Sequence, residues 1–148
     1  MQNKMRKTLW HLPSVLAVCV TTLMCCSAAA QTSVHIAMVD TGVMNTGHGI
    51  LRGGHRYYGE AIVVVVDDLG NPVPNARVRG TFYNAHLQTG SQSVSGTTGS
   101  DGSVTLRSRA SSQGVVITFT FCVDDVRAFL PYDSADNLMT CDTETLEL

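Results

Sequence analysis

Apolar and polar residues alternate along much of this chain with a period of two. The clearest stretch is Ala76–Tyr83, in which every second residue is small or apolar and the others are Arg, Thr or Tyr. A strand with one face in a core produces this pattern, because successive side chains point to opposite faces. Ser103–Ser108 and Val115–Val123 alternate likewise, and Tyr57–Val66 ends in a β-branched run typical of a central strand. The pattern predicts strands at these positions.

Weaker signals predict the remaining elements. Val34–Asp40 and Ala128–Tyr132 are predicted to be a short first strand and a short last strand. Thr41–His55 contains five glycines and is predicted to be a long loop. Asn84–Thr98 is rich in Ser, Thr, Gln and Gly, and at most a weak edge strand is expected there. Asp133–Leu148 carries five acidic residues and is expected to be loosely structured.

Turn residues separate the predicted strands. Asp67–Asn75 contains Gly, Asn and two Pro residues, which favour tight turns, and Gly99–Gly102 is a second turn. After residue 30 no stretch shows a sustained helical period. The chain therefore predicts an all-β fold, a single immunoglobulin-like antiparallel β-sandwich of about seven strands with Greek-key connections. The expected domain covers residues 31–137, and residues 138–148 are expected to form an acidic C-terminal tail.

The first 30 residues have the layout of a secretory signal peptide. Three basic residues precede a mostly apolar stretch from Leu9 to Cys26, and Ala28–Ala30 supplies the small residues of a cleavage site before Gln31. Polar residues interrupt the apolar stretch, which falls short of the roughly 20 residues of a membrane span. Cleavage between Ala30 and Gln31 is predicted, giving a secreted protein, extracellular or periplasmic, without a stable membrane span. A lipoprotein is the minor alternative.

Removal of residues 1–30 changes the charge of the chain. The remaining 118 residues contain seven Arg, no Lys and twelve acidic residues, a formal charge of −5. An acidic balance argues against nucleic acid or an anionic membrane as the partner.

Removal of the same residues reduces five cysteines to two, Cys122 and Cys141. In an exported protein an even pair indicates a disulfide bond. A metal site on two cysteines is the competing interpretation, but it needs two more soft ligands at ordered spacing, and the sequence offers none.

Three segments resemble a known group of modules. They are IVVVVDDLGNPVPNARVRGTFY, TGSDGSVTLRS and VVITFTFCVDDV, and they resemble bacterial immunoglobulin-like and carboxypeptidase-regulatory-like β-sandwiches. The opening VHIAMVD and the ending FLPYDSADN resemble a subgroup appended to secreted bacterial exoenzymes such as subtilisin-like proteases. The resemblance covers roughly residues 34–137. It implies a β-sandwich that acts as a spacer, stabiliser or attachment domain. The matching turn and core residues are Asp67, Gly70, Asn71, Pro72, Val73, Ala76, Val78, Asp101, Gly102, Val104, Leu106, Ile117, Phe119 and Phe121.

Catalytic signals are weak. Four histidines follow residue 30, but no serine lies in a nucleophile-elbow motif, so no enzymatic activity, no catalytic residue and no cofactor are expected. The histidines are His35, His48, His55 and His86.

Aspartates at strand ends raise the alternative of a Ca²⁺ site at one pole of the sandwich. Aspartate also commonly ends strands and begins turns, and no D-x-D-x-D loop is present, so no metal site is predicted. A glycan site would use a row of exposed aromatics, and the chain after residue 30 offers tyrosines but no Trp. The residues concerned are Asp40, Asp67, Asp68, Asp124 and Asp125 for Ca²⁺, and Tyr57, Tyr58 and Tyr83 for a glycan.

The sequence therefore predicts a secreted, non-catalytic domain with a structural, adhesion or protein-interaction role in the cell envelope or outside the cell. Its partner is expected to be a protein or cell-surface component of unknown identity. Outward-facing Thr and Arg residues raise the possibility of strand addition by another protein. A Ca²⁺ or glycan module at the loop pole is the alternative. The loops Thr41–His55 and Asn84–Thr98 are the expected location of function.

Overall fold

A computed structural model describes residues 30–48, 55–84, 90–112 and 116–147. Strands dominate these ranges, with one short 3-10 helix at Ser134–Asp136. No helix among the described residues is long and apolar enough to cross a bilayer. The predicted signal peptide lies outside them, apart from Ala30. The strands are β1 (Val34–His48), β2 (His55–Asp67), β3 (Arg77–Tyr83), β4 (Ser91–Thr97), β5 (Ser103–Arg107), β6 (Ser111–Ser112), β7 (Val116–Arg127) and β8 (Cys141–Glu147).

The strands form two antiparallel sheets. The first has the order β1-β2-β5, with β6 also paired to β2, and the second has the order β4-β3-β7-β8. The chain changes sheet between β2 and β3, between β4 and β5, and between β6 and β7, so that β7 returns to lie beside β3. This Greek-key connectivity agrees with the immunoglobulin-like sandwich that the sequence predicts, and the predicted fold class is confirmed.

Aromatic side chains fill the centre of the core. The ring centroids of Phe82 and Phe121 are 4.7 Å apart, and those of Phe82 and Phe119 are 6.3 Å apart in an edge-to-face arrangement. Gly80 makes room for them, because a Cβ atom there would collide with the Phe121 ring and lie 2.6 Å from the Cys122 carbonyl oxygen. The alternation of β3 therefore matches its prediction, with Gly80 at an inward position where no side chain fits.

Bulges change the alternation phase in two strands. In β1 the register shifts between Ile36 and Met38, and Met38 is 41% exposed although it lies two residues after the fully buried Ile36. In β7, Asp125 pairs with Arg79 while Val123 pairs with the next residue, Gly80, so Asp124 is an extra residue. The bulge returns Val126 to the core.

Two loop predictions differ from the structure. Most of the predicted loop Thr41–His55 is strand, since β1 runs to His48 and β2 begins at His55. The two strands pair as a long hairpin, whose ladder hydrogen bonds satisfy the backbone despite the glycines. Residues 49–54 lie outside the described ranges. In Asn84–Thr98 the expected edge strand is present as β4, and residues 85–89 lie outside the described ranges.

The C-terminal predictions were wrong in two respects. Ala128–Tyr132 is not a strand, because β7 continues to Arg127 and only Tyr132 forms an isolated bridge, to Val34. The region expected to be a loose acidic tail contains β8, which pairs with β7 over seven residues. Pairing with β7 gives this polar segment the hydrogen bonds that its own composition does not indicate.

Candidate functional site

One side of the sandwich is closed between β1 and the C-terminal segment. The Ile36 amide donates to Oδ1 of Asn137 at 2.8 Å, and Leu138 N donates to the Ile36 carbonyl at 3.0 Å. Further along β1, Thr41 N donates to Oδ2 of Asp142 at 2.7 Å. These bonds join β1 to the C-terminal segment as far as Asp142.

The opposite edge of the second sheet is β4, and its hydrogen-bonding phase follows from the bonds at its two ends. Thr98 N donates to the Ala76 carbonyl at 2.9 Å, and Asn84 N donates to the Gly90 carbonyl at 3.1 Å. The register between these bonds is continuous. Because hydrogen-bonded and non-hydrogen-bonded pairs alternate in an antiparallel ladder, every second residue of β4 bonds to β3. These residues are Gln92, Val94 and Gly96.

The intervening residues of β4 direct their backbone groups away from β3. They include Ser93, Ser95 and Thr97, all of which are exposed. No described residue forms a backbone hydrogen bond with their amides or carbonyls beyond the ladder. Three consecutive positions of this phase therefore offer donors and acceptors to an added strand.

The sequence of β4 lacks the features that usually protect an edge strand. It reads SQSVSGT, with no charged residue, no Pro and no register shift over seven residues. Natural edge strands are commonly protected from pairing by Lys, Pro, bulges or a short length. This composition leaves β4 competent to pair with another extended segment.

Three arginines lie near this edge on the outer face of the second sheet. Arg77 and Arg79 are on β3 and Arg127 is on β7, and we call the three residues the arginine patch. In the register of the two strands, Arg77 lies opposite Arg127, and Arg79 lies opposite Asp125. Like charges opposite each other destabilise a sheet. The Asp125 carboxylate lies 3.1 Å from Nε of Arg127. The patch therefore holds three guanidinium groups against one paired carboxylate, although residues 31–148 have a formal charge of −5.

The β7 bulge is what brings Arg127 to this patch. If β7 alternated regularly through Asp124, without a bulge, Arg127 would lie on the inner face and Val126 on the outer face. Asp124 itself is held by Thr81, whose hydroxyl donates to Oδ2 at 2.8 Å. The bulge thus sets the charge pattern of the outer face.

The proposed calcium-binding aspartates do not form one cluster. Among the described residues, no three His, Cys, Asp or Glu side chains are arranged to hold a metal ion. Oδ1 of Asp67 accepts from the amides of Leu69 and Asn71 at 2.9 and 2.8 Å, which stabilises the turn. Burial would raise the pKa of Asp67, but the hydrogen bonds from Asn71 and Leu69 outweigh it and lower that pKa. The strand-end carboxylates therefore serve local hydrogen bonds.

The three tyrosines considered for a glycan site are separated. Tyr57 is 4% exposed and belongs to the core. Tyr58, on the first sheet, stacks under the Arg107 guanidinium, 5.6 Å from its ring centroid. Tyr83 is 45% exposed on the second sheet. They form no shared aromatic platform.

The histidines considered for catalysis do not gather into a site in the described residues. His35 lies on β1 opposite Val66, with its Nδ1 buried and without a hydrogen-bond partner. His48 is the last residue of β1 and is the cross-strand partner of His55, the first residue of β2. His86 lies outside the described ranges.

Other predicted site residues are placed as follows. Cys122 and Cys141 form a disulfide between β7 and β8, with their Cα atoms 4.1 Å apart. Ala30 is exposed, and the Gln31 side-chain amide donates to Oδ2 of Asp67. The residue after the predicted cleavage point therefore contacts the turn at the end of β2.

Sequence reasoning underestimated the β4 edge and missed Arg127. For β4 only a weak edge strand within a polar segment was expected, because Ser and Gly carry little strand signal. Arg127 was assigned to no face of the sheet, because a bulge changes which residues of the strand point toward the core. The adjacent acids Asp124 and Asp125, followed by Val126, were the available sign of a break in alternation.

Comparison of the chain with protein-family models, with curated proteins and with solved structures finds no match in any of the three.

Proposed function

We propose that this chain is a secreted, non-catalytic β-sandwich domain that binds another protein, with a structural or adhesive role in the cell envelope or outside the cell. The contact is made by strand addition, in which an extended segment of the partner pairs with β4. The resemblance to bacterial immunoglobulin-like modules remains part of this proposal, as does the export of the chain.

The observation that carries the proposal is the side of β4 that faces away from β3, where no described residue bonds to the backbone. Ser93, Ser95 and Thr97 are exposed and direct their amides and carbonyls away from β3. In strand addition these main-chain groups supply the affinity, and the side chains on alternate positions supply specificity. The other edge of the same sheet, β8, is bonded to β1 through Asp142, and its acidic residues Asp142, Glu144 and Glu147 disfavour pairing with another strand. β4 is therefore the favoured edge.

Export is supported by two independent features. The N-terminal 30 residues have a signal-peptide layout, and the two cysteines that remain after cleavage are joined in a disulfide. Structural disulfides persist mainly in oxidising compartments outside the cytosol.

Amide hydrogen exchange measured by NMR tests the strand-addition surface. In the free protein, the β4 amides that bond to β3 should exchange slowly, and those of Ser93, Ser95 and Thr97 should exchange fast. Binders selected from a displayed library of random nine-residue peptides should slow the exchange of this second set. Ser95→Pro should abolish binding, because it removes a donor on the open side without breaking a β3–β4 bond.

Ser95→Ala is the matched control, since it keeps the amide and should bind as the wild type does. Binders that protect only loop amides, or that bind Ser95→Pro and wild type equally, would refute strand addition at β4.

A further inference from the structure

We infer that the strand taken up at β4 carries acidic side chains at alternate positions, and that Arg77 and Arg79 bind two of them. This inference rests on the proposed function and adds the chemistry of the partner. The observation that carries it is that two arginines with no ion-pair partner among the described residues lie on β3, the strand next to the open edge.

The register places both arginines next to small side chains of β4. Arg77 is paired with Thr97, and Arg79 with Ser95. Both β4 residues are exposed and lie on the same face as the arginines. No bulky side chain therefore separates the guanidinium groups from a strand added beyond β4.

Strand spacing makes the contact feasible. Neighbouring strands lie about 4.8 Å apart, so a strand added to β4 would run about 10 Å from β3. An extended arginine and a glutamate, reaching toward each other over Ser95 and Thr97, together cover that distance. Arg77 and Arg79 are two residues apart on one strand, so the partner's acids are also expected two residues apart.

The cross-strand neighbours of the two arginines on β7 are a like charge and a carboxylate that is already paired. Arg127 lies directly opposite Arg77, and like charges at such a position do not neutralise each other. Asp125 is the neighbour of Arg79, but it pairs with Nε of Arg127 instead. Among the described residues, neither Arg77 nor Arg79 has a carboxylate within salt-bridge distance. The positive charges of Arg77 and Arg79 are therefore available to the carboxylates of a partner.

An acidic protein strand explains more of this surface than an acidic glycan does. It uses the main-chain groups of β4 as well as the arginines, whereas a glycan would leave the open backbone unused. Sugar rings also favour a platform of several aromatics, and among the described residues this face offers the single exposed ring of Tyr83.

Selection from a displayed nine-residue peptide library, followed by affinity measurements on the selected peptides, tests the inference. Wild-type protein should enrich peptides with Asp or Glu at two positions of the same parity. The double variant Arg77→Gln/Arg79→Gln should bind them about three- to tenfold more weakly, as expected for two partly exposed ion pairs. Added NaCl should weaken binding to the wild type far more than to the variant.

Arg107→Gln is the matched control, because it removes an exposed arginine from the other sheet, where it pairs with Glu60. It should leave peptide affinity unchanged. Peptide variants with Gln in place of each acid should reproduce the loss seen with the double arginine variant.

The outcomes separate this inference from the proposed function. Peptides that lose affinity for Ser95→Pro but show no acidic enrichment, and bind the double arginine variant normally, would overturn the inference and leave strand addition standing. Absence of any β4-dependent peptide would overturn both. If heparin, used as a sulfated glycan probe, binds through the arginines and is unaffected by Ser95→Pro while acidic peptides do not bind, the arginine patch is a glycan site and the inference is wrong.

Discussion

Replacing both cysteines of the Cys122–Cys141 bridge with serine should lower the melting temperature of this domain by roughly 12 °C. The bridge joins directly opposed residues of β7 and β8. Cys122 is only half-buried and Cys141 is exposed, so serine disturbs little packing at either site. The main loss is therefore the constraint that the bond places on the unfolded chain.

The magnitude follows from the length of the closed loop. The two cysteines are 19 residues apart, and closing a loop of this length stabilises a protein by about 3 kcal/mol in the chain-entropy model. The unfolding entropy of the 118 residues after the predicted cleavage point is about 250 cal/mol/K near the melting temperature. Dividing the lost stabilisation of about 3 kcal/mol by this unfolding entropy gives the expected decrease in melting temperature of roughly 12 °C.

Scanning calorimetry of wild type and the double serine variant under non-reducing conditions measures this shift. Thr120→Ser/Thr143→Ser is the matched control, since it alters the adjacent cross-strand pair, whose hydroxyls are 2.8 Å apart, and should change the melting temperature by only about 2–3 °C. If the melting temperature of the cysteine variant falls by less than about 3 °C, the loop-entropy reasoning is refuted. Two alkylatable thiols in the exported wild type would refute the bridge itself.

Three further predictions concern the core and the first turn. Gly80→Ala should destabilise the domain by about 1–3 kcal/mol in urea unfolding, because the new Cβ meets the Phe121 ring, whereas Gly42→Ala, whose Cβ has only an ordinary contact at 3.5 Å, should be within about 0.5 kcal/mol of wild type. Phe119→Ala should cost about 3–5 kcal/mol by the same measurement, since its side chain is fully buried, and a loss below 1 kcal/mol would contradict its place in the core. Asp67 has a lowered pKa in the folded state, so its ionised form contributes stability at pH values above its ordinary pKa of 3.8, and this contribution is lost as the pH falls below that value. Asp67→Asn should therefore be less stable than wild type at pH 7, and the difference should shrink between pH 5 and 3 in a series of thermal melts; a constant difference would contradict this.

The strands that sequence reasoning located correctly are those whose signal is local. β2, β3, β5 and β7 have one face in the core, and their alternation records that burial directly. The turn after β2 was also readable, because Asp67 and Asn71 hydrogen-bond within the turn itself. The cysteine pair followed from counting, since only two remain after the signal peptide.

The elements that were misread depend on contacts with distant residues. β8 is polar and exposed along most of its length, and its strand conformation comes from pairing with β7. The extension of β1 to His48 depends on the opposite strand of the hairpin. Strand propensity carries no information about the strand that a segment pairs with, so both segments resembled loops.

The sequence by itself determined the fold class, the disulfide pair and the expectation of export, because burial alternation, turn chemistry and cysteine number are properties of short segments. Only the tertiary structure decided which strand is left at an open edge and which charges stand beside it. β4 is the first strand in the order β4-β3-β7-β8, so it pairs with β3 on one side only. At the opposite end of this sheet, β8 is bonded to β1 through Asp142. Arg127 belongs to the arginine patch because the β7 bulge leaves Asp124 out of the ladder and so keeps Arg127 opposite Arg77 on the outer face.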